Sequence, residues 1–160
     1  MNYTLRPIRT EDDEQICRII KSVGAEFGAI GEGFGPSDPE VRCMSRHYTP
    51  AANKLYLVAS INNTLIGGGG LSSFHGSKKV CELKKVFILP DGRGLGIGKK
   101  LTLQCLEYAR SQGYAQCYLD TLFSMNAAIK LYESLGFRHL ETSLEETIHG
   151  ACDVWMIKDL

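Results

Sequence analysis

Apolar and polar residues alternate from Tyr3 to Arg9, the period of a strand with one buried face. The period then changes. From Thr10 to about Phe27 the residues Ile16, Ile19, Ile20 and Val23 recur at helical spacing and form one stripe. Thr10 stands where a helix cap is needed. Glu11, Asp12, Asp13 and Glu14 fill the first turn, where carboxylates complement the helix dipole. This acidic run is therefore expected to be structural rather than metal-binding. Residues 28–39 contain Gly28, Gly31, Gly33, Gly35, Pro36 and Pro39 and predict a loop, followed by a second helix from Pro39 to Tyr48.

Leu55 to Ser60 and Thr64 to Ser72 predict two strands joined across Asn62-Asn63, a pair suited to a tight hairpin turn. The second strand contains Gly67-Gly68-Gly69-Gly70, which weakens it through backbone entropy. Compensation must come from close packing of another backbone or from the close approach of a ligand. Val80 to Leu89 predicts a further strand, with a slip in phase. Cys81 and Leu83 share a face, yet the next apolar pair, Val86 and Ile88, begins three residues on. An odd step in a period-two pattern predicts one extra residue, a β-bulge near Lys84-Lys85, which would splay the strand from its neighbour and leave backbone groups for a ligand.

Leu101, Cys105, Leu106 and Ala109 predict a helix from Gly98 to Gln112, ended by Gly113. Tyr114 to Thr121 predicts a strand. Asn126 is placed to cap a helix running to Leu135 and stopped by Gly136. Phe137 to Leu140 and Cys152 to Lys158 predict the last two strands, joined by a loop through Glu145–Gly150.

With 160 residues the chain is expected to form one domain, residues 1–160, burying about 70% of its unfolded surface. Its net charge is zero, which gives the whole molecule no electrostatic claim on nucleic acid or on a membrane surface. The first residues hold no apolar run of the signal-peptide kind, and no stretch approaches the length of a membrane span, so a cytoplasmic location is expected. Six cysteines stand singly, without paired spacing or grouped histidines, and are expected to be reduced, buried small hydrophobes rather than zinc ligands. The charge is uneven. Lys78 to Lys100 holds seven basic and two acidic residues, a local +5 that leaves −5 elsewhere.

That basic window contains Arg93-Gly94-Leu95-Gly96-Ile97-Gly98-Lys99-Lys100, alternating glycines at the start of a predicted helix. Such a loop offers unobstructed backbone N–H groups at the positive end of a helix and suits a phosphate or pyrophosphate. A nucleotide P-loop is excluded twice, because Lys100 follows Gly98-Lys99 where Ser or Thr is needed, and Arg93 stands where the first glycine is needed. A dinucleotide fingerprint fits poorly, since the spacing is G-x-G-x-G and the run lies past mid-chain.

Arg93 to Gly98 instead matches Arg/Gln-x-x-Gly-x-Gly/Ala, and here the chain resembles the GNAT family of N-acetyltransferases. The resemblance extends to Cys81–Pro90, similar to the family's central strand, and to Asn126–Phe137, similar to its helix-then-strand segment ending in Tyr-x-x-x-Gly-Phe. It implies a mixed α/β fold, a central mixed sheet of about seven strands flanked by about four helices. It also implies acetyl-CoA as co-substrate and no metal. Arg93, Gly94, Leu95, Gly96, Ile97, Gly98 and Lys99 would hold its pyrophosphate. Val86, Phe87 and Ile88 would offer backbone to its pantetheine arm in the splay. Asn126 would have a second role at the coenzyme.

Acyl transfer from a thioester to an amine needs a base, a donor to the oxyanion and an acid for the departing thiolate. Glu82, the acid on the central strand before the bulge, is the candidate base; the bland reading pairs it with Lys84 or Lys99. Tyr132 sits on an apolar helical face with Ala128, Leu131 and Leu135, as a core aromatic would. Its place four residues before Gly136-Phe137 matches the family tyrosine near the coenzyme sulfur, which makes it the candidate acid. A backbone N–H near Val86-Phe87 would bind the oxyanion. His149, in a predicted exposed turn, reads as a solvated side chain, and His47, His75 and His139 show no grouping. The implied function is acetylation of a primary amine on a small or amino-acid-like molecule by direct attack, with residues 28–48 as candidate acceptor-selecting segment or plain connector. Acetylation of a protein lysine or N-terminus, and a non-catalytic acyl-CoA sensor, are the alternatives. The resemblance also allows a homodimer.

Overall fold

The computed structural model describes residues 2–144 and 150–160. Seven strands, β1 (Thr4–Pro7), β2 (Leu55–Ile61), β3 (Thr64–Ser73), β4 (Val80–Ile88), β5 (Gln116–Thr121), β6 (Arg138–Leu140) and β7 (Val154–Asp159), form one sheet in the order β1-β2-β3-β4-β5-β7-β6. Neighbours are antiparallel except β4 and β5, which run parallel. Four α-helices are present among the described residues: α1 (Asp13–Glu26), α2 (Met44–His47), α3 (Ile97–Ser111) and α4 (Asn126–Ser134). This is the mixed architecture expected from the resemblance. Among the described residues no helix is long and apolar enough to cross a membrane.

Strand alternation divides the core between the two sheet faces. Leu57, Ala59, Leu71, Cys81, Leu83, Cys117 and Leu119 pack with Leu101, Cys105 and Leu106 of α3. Tyr56, Val58 and Phe87 pack with Ile16, Ile20 and Val23 of α1 and Met44 of α2. Each fully buried Leu or Ile contributes about 1.5–3 kcal/mol, so these two stripes dominate stability. The predicted hairpin turn is present, with Asn62 and Asn63 at φ 50° and 64°, the left-handed pair that a tight two-residue turn requires.

The phase slip in β4 is a bulge. Gly68 pairs with Phe87 and Gly70 with Lys84, so Gly69 alone opposes Lys85 and Val86. Lys85 takes the left-handed conformation, φ 56°. The four glycines accommodate what holds this kink. A Cβ on Gly68 or Gly70 would lie 2.6 or 2.5 Å from the Tyr56 ring, and one on Gly67 would lie 2.5 Å from the Phe87 carbonyl. The Tyr56 hydroxyl donates to the Lys85 carbonyl at 2.8 Å, within a fully buried environment. Bare backbone in β3 thus lets one aromatic ring reach across and pin the bulge. On its other side β4 leaves β5 just before the bulge: the β4–β5 ladder ends at Glu82–Tyr118, whereas β5 stays paired with β7 to Thr121.

Several sequence expectations are corrected. Thr10 does not cap α1. Arg9 holds the extended conformation before the turn, and the Asp12 carboxylate reaches back to its N–H at 2.8 Å while taking Arg6 at 2.7 and 2.9 Å. The first turn tightens to a 3-10 turn, and α1 begins at Asp13. Asp12 is buried, and its bond to Arg6 holds the carboxyl below its usual range. Asn126 is the first residue within α4 rather than its cap. Met125 occupies the cap position and its carbonyl accepts from Ile129 N–H at 3.0 Å. The predicted helix at 39–48 is mostly a 3-10 segment, Pro39–Cys43, followed by the single turn α2. Asp13 accepts from Ser45 N–H and Oγ at 2.8 and 2.6 Å, tying that turn to α1. Of the six free cysteines Cys81, Cys105 and Cys117 are buried, but Cys17, Cys43 and Cys152 are only partly so. Most of the loop expected at Glu145–Gly150, with His149, lies outside the described residues.

Candidate active site

The splay between β4 and β5 opens on a cleft of about 300 Å³ between the glycine loop and α4, with Val23 of α1 and Phe27 after it also on its wall. Val86 and Ile88 of β4, Gly94, Gly96, Gly98 and Lys99 of the glycine loop, and Ala128 and Tyr132 of α4 form much of its wall. Gly94 and Gly96 have φ 77° and 79°, with open space where a Cβ would project. That left-handed pair turns the chain so that α3 begins directly at the cleft. No side chain caps α3, and Lys99 and Lys100 sit in its first turn, where cations oppose the dipole. Local stability is thus given up at one helix start, and a bound anion would offset both defects.

Arg93 borders the same cleft. Its guanidinium donates to both oxygens of Glu26 at 2.6 and 2.8 Å, its Nε donates to the Ile88 carbonyl at 3.0 Å, and it lies 5.3 Å from the Phe27 ring centroid. Hydrogen bonding to Arg93 lowers the Glu26 carboxyl pKa. A pyrophosphate arriving at the loop would compete with Glu26 for Arg93. Glu26→Gln is therefore expected to tighten acetyl-CoA binding about two- to fivefold, and Arg93→Glu to weaken it at least about tenfold, by calorimetric titration. Equal affinities in all three proteins would remove Arg93 from the phosphate contact.

Tyr132 is 5% exposed, and its ring lies 5.7 Å from that of Phe137. Burial, with smaller contributions from Cys105 and Cys117, pushes its phenol pKa up, so the proton is held at neutral pH. Leu95, Phe87, Asn126 and Glu82 do not line the cleft. Leu95 turns into the core beneath α3. Asn126 precedes the cleft residues Ala127 and Ala128 on α4.

Phe87 and Glu82 belong to the opposite face. Glu82 is 7% exposed on β4, level with Tyr118 of β5. Strand alternation puts Glu82 and Lys84 of β4 on the same side as Tyr118 and Asp120 of β5. A second cavity lies on this face, lined by Lys84, Lys85 and Phe87 of β4, Asp120 and Thr121 of β5, Cys152, and the loop residues Ala29, Phe34 and Pro36. Met125 borders both cavities. The two spaces therefore adjoin where the sheet is split.

Sequence reasoning missed the charges that hold this wall. The Lys85 ammonium, 1% exposed, lies 2.7 Å from Asp38 and 3.3 Å from Glu40. Lys84 is 3.9 Å from Glu40 and 5.9 Å from the Tyr48 ring centroid. Burial, then Lys85, lowers the Lys84 pKa. Lys85 lies 47 residues from Asp38 in sequence, and local spacing carries no signal of such a pair. Burial and the Asp120 carboxylate push the Cys152 thiol up, which leaves it a poor nucleophile.

A profile of the acetyltransferase (GNAT) family matches residues 25–137. The uncharacterized N-acetyltransferase YjgM of Escherichia coli is 37% identical over 158 residues, covering 98% of this chain and 94% of its own. The N-acetylaspartate synthetase of Rattus norvegicus is 32% identical over 107 residues, 67% of this chain and 36% of the relative. A PaiA N-acetyltransferase from Thermoplasma acidophilum, solved with coenzyme A, aligns over 100% of both chains with a TM-score of 0.77 at 21% identity, a likeness of fold.

Proposed function

We propose, from the premise that the chain belongs to the acetyltransferase (GNAT) family and is an acetyl-CoA-dependent N-acetyltransferase, that its acceptor is a primary amine on a small, amino-acid-like molecule, attacked directly. The observation that carries this reading is the pair of adjoining cavities near the split between β4 and β5, one lined by the glycine loop and α4, the other by Lys84, Asp120 and Cys152. Acetyl-CoA would lie in the α3–α4 cleft, its pyrophosphate against Gly94–Lys99 and Arg93, its arm along Val86–Ile88. Its thioester would reach the split beside the second cavity, where the amine waits. The similarity to an N-acetylaspartate synthetase, named for an acetylated amino acid, favours an acceptor of that size.

In the reaction the amine nitrogen attacks the thioester carbonyl carbon. The new C–N bond forms as the C–S bond breaks. Glu82 takes the proton lost by the amine, through water, and Tyr132 gives a proton to the departing sulfur. The oxyanion would be held by a backbone N–H near Val86-Phe87, where Val86 lies in the bulge that interrupts the β3–β4 ladder. No covalent enzyme intermediate is needed, since a thioester is already activated, and the cavity thiol Cys152 is held protonated.

Tyr132→Phe tests the acid. The ring keeps its packing on Phe137, so the melting temperature is expected to stay within about 2 °C. Turnover, followed by release of free thiol, is expected to fall by about ten- to a hundredfold. Normal turnover together with a large melting drop would make Tyr132 a core residue only.

A further inference from the structure

We propose that the acceptor carries a carboxylate beside its amine, and that the Lys84 ammonium is the group that receives it. This rests on the small-amine reading above. Lys84 and Lys85 are neighbours on the wall of the second cavity, but they are partnered differently. Lys85 is matched closely, with carboxylates at 2.7 and 3.3 Å. Of the carboxylates near Lys84, Glu40 stands 3.9 Å away and closer to Lys85, and Glu82 acts on it through space from two residues along β4. The Lys84 side chain is only 13% exposed, so water makes up little of the difference. The Tyr48 ring, 5.9 Å from its nitrogen, holds the cation in place without neutralising it.

Charge across the cavity has a direction. Asp38, Glu40, Lys84 and Lys85 sum to zero on the wall nearest the 28–43 segment. Glu82 and Asp120 add two negative charges along the split between β4 and β5. The Lys54 ammonium, 5.8 Å from the Tyr48 ring centroid, adds a positive charge at the Lys84 end. An ammonium is drawn toward the split, where the amine must lose its proton, and an anion toward Lys84. A molecule bearing both groups satisfies both ends, whereas a diamine or polyamine would set a cation against Lys84. Lys84 is thus a specificity-determining residue and takes no part in the chemistry.

The test is acetyl-CoA turnover with L-amino acids, their carboxamides, and the corresponding amines lacking the carboxylate, followed by free-thiol release. The free acids are expected to show kcat/KM at least about tenfold above their amides. Lys84→Met is expected to raise KM for the acids by about tenfold and to erase the preference for acids over amides, whereas Lys84→Arg should keep it. Should Lys84→Met fail to fold, the acid–amide comparison on the natural protein decides. Equal rates for acids and amides, or faster turnover of the amines, would overturn the carboxylate contact and leave the small-amine reading standing. Turnover with no member of the panel would overturn that reading and this inference together.

Discussion

Glu82→Gln is expected to lower kcat/KM by about a hundredfold or more, with acetyl-CoA affinity unchanged. The substitution keeps the volume and the β4 geometry of a side chain that is 7% exposed, and removes only its ability to accept a proton. Glu82 is the last β4 residue paired with β5, so the ladder holds its backbone where the two strands part. The competing role is a carboxylate that merely balances Lys84. That role would show as a lower melting temperature with a nearly normal rate. Rate and melting measured on one preparation therefore separate the two. A variant within a fewfold of the natural rate would remove Glu82 as base.

Lys85→Met is expected to carry the largest stability change, about 3–5 kcal/mol. The ammonium lies 2.7 and 3.3 Å from Asp38 and Glu40, and its loss removes a close cation from two part-buried carboxylates, Glu40 keeping only the more distant Lys84 at 3.9 Å among its ion pairs with the described residues. Burial opposes ionisation of Glu40, and Lys85 then Lys84 outweigh it to lower its pKa. For a chain this long the melting temperature should fall by about 10 °C or more, read by calorimetry. The change should be felt at the site as well, since this pair ties the segment before α2 to the bulge. A drop of less than about 2 °C would show the cluster to be solvated in effect.

The two sheet faces and the bulge were legible because each is a local pattern. Cys81 and Leu83 against Val86 and Ile88 located the extra residue to within one position of Lys85. The glycine loop was legible for the same reason, as conformational demands at Gly94 and Gly96 must be met by the residue itself. What holds the bulge was not. Gly67–Gly70 signals that something fills the space, but Tyr56 and Lys85 are 29 residues apart, and no local pattern distinguishes packing from a ligand there. The cap expected at Thr10 gives way because Asp12 is drawn to Arg6, whereas α4 starts one residue earlier than expected, with Met125 at the cap position. Arg93 borders the cleft, and its pairing with Glu26 joins residues 67 apart, which no local pattern signals.

The measurement that bears most directly on direct attack across the split is initial velocity with acetyl-CoA and an amino-acid acceptor varied together. Both cavities must be filled at once, so double-reciprocal lines that intersect are expected, and the protein incubated with acetyl-CoA alone should keep its mass. Parallel lines, with one acetyl group gained by the protein before acceptor is added, would reveal an acyl-enzyme and contradict the account.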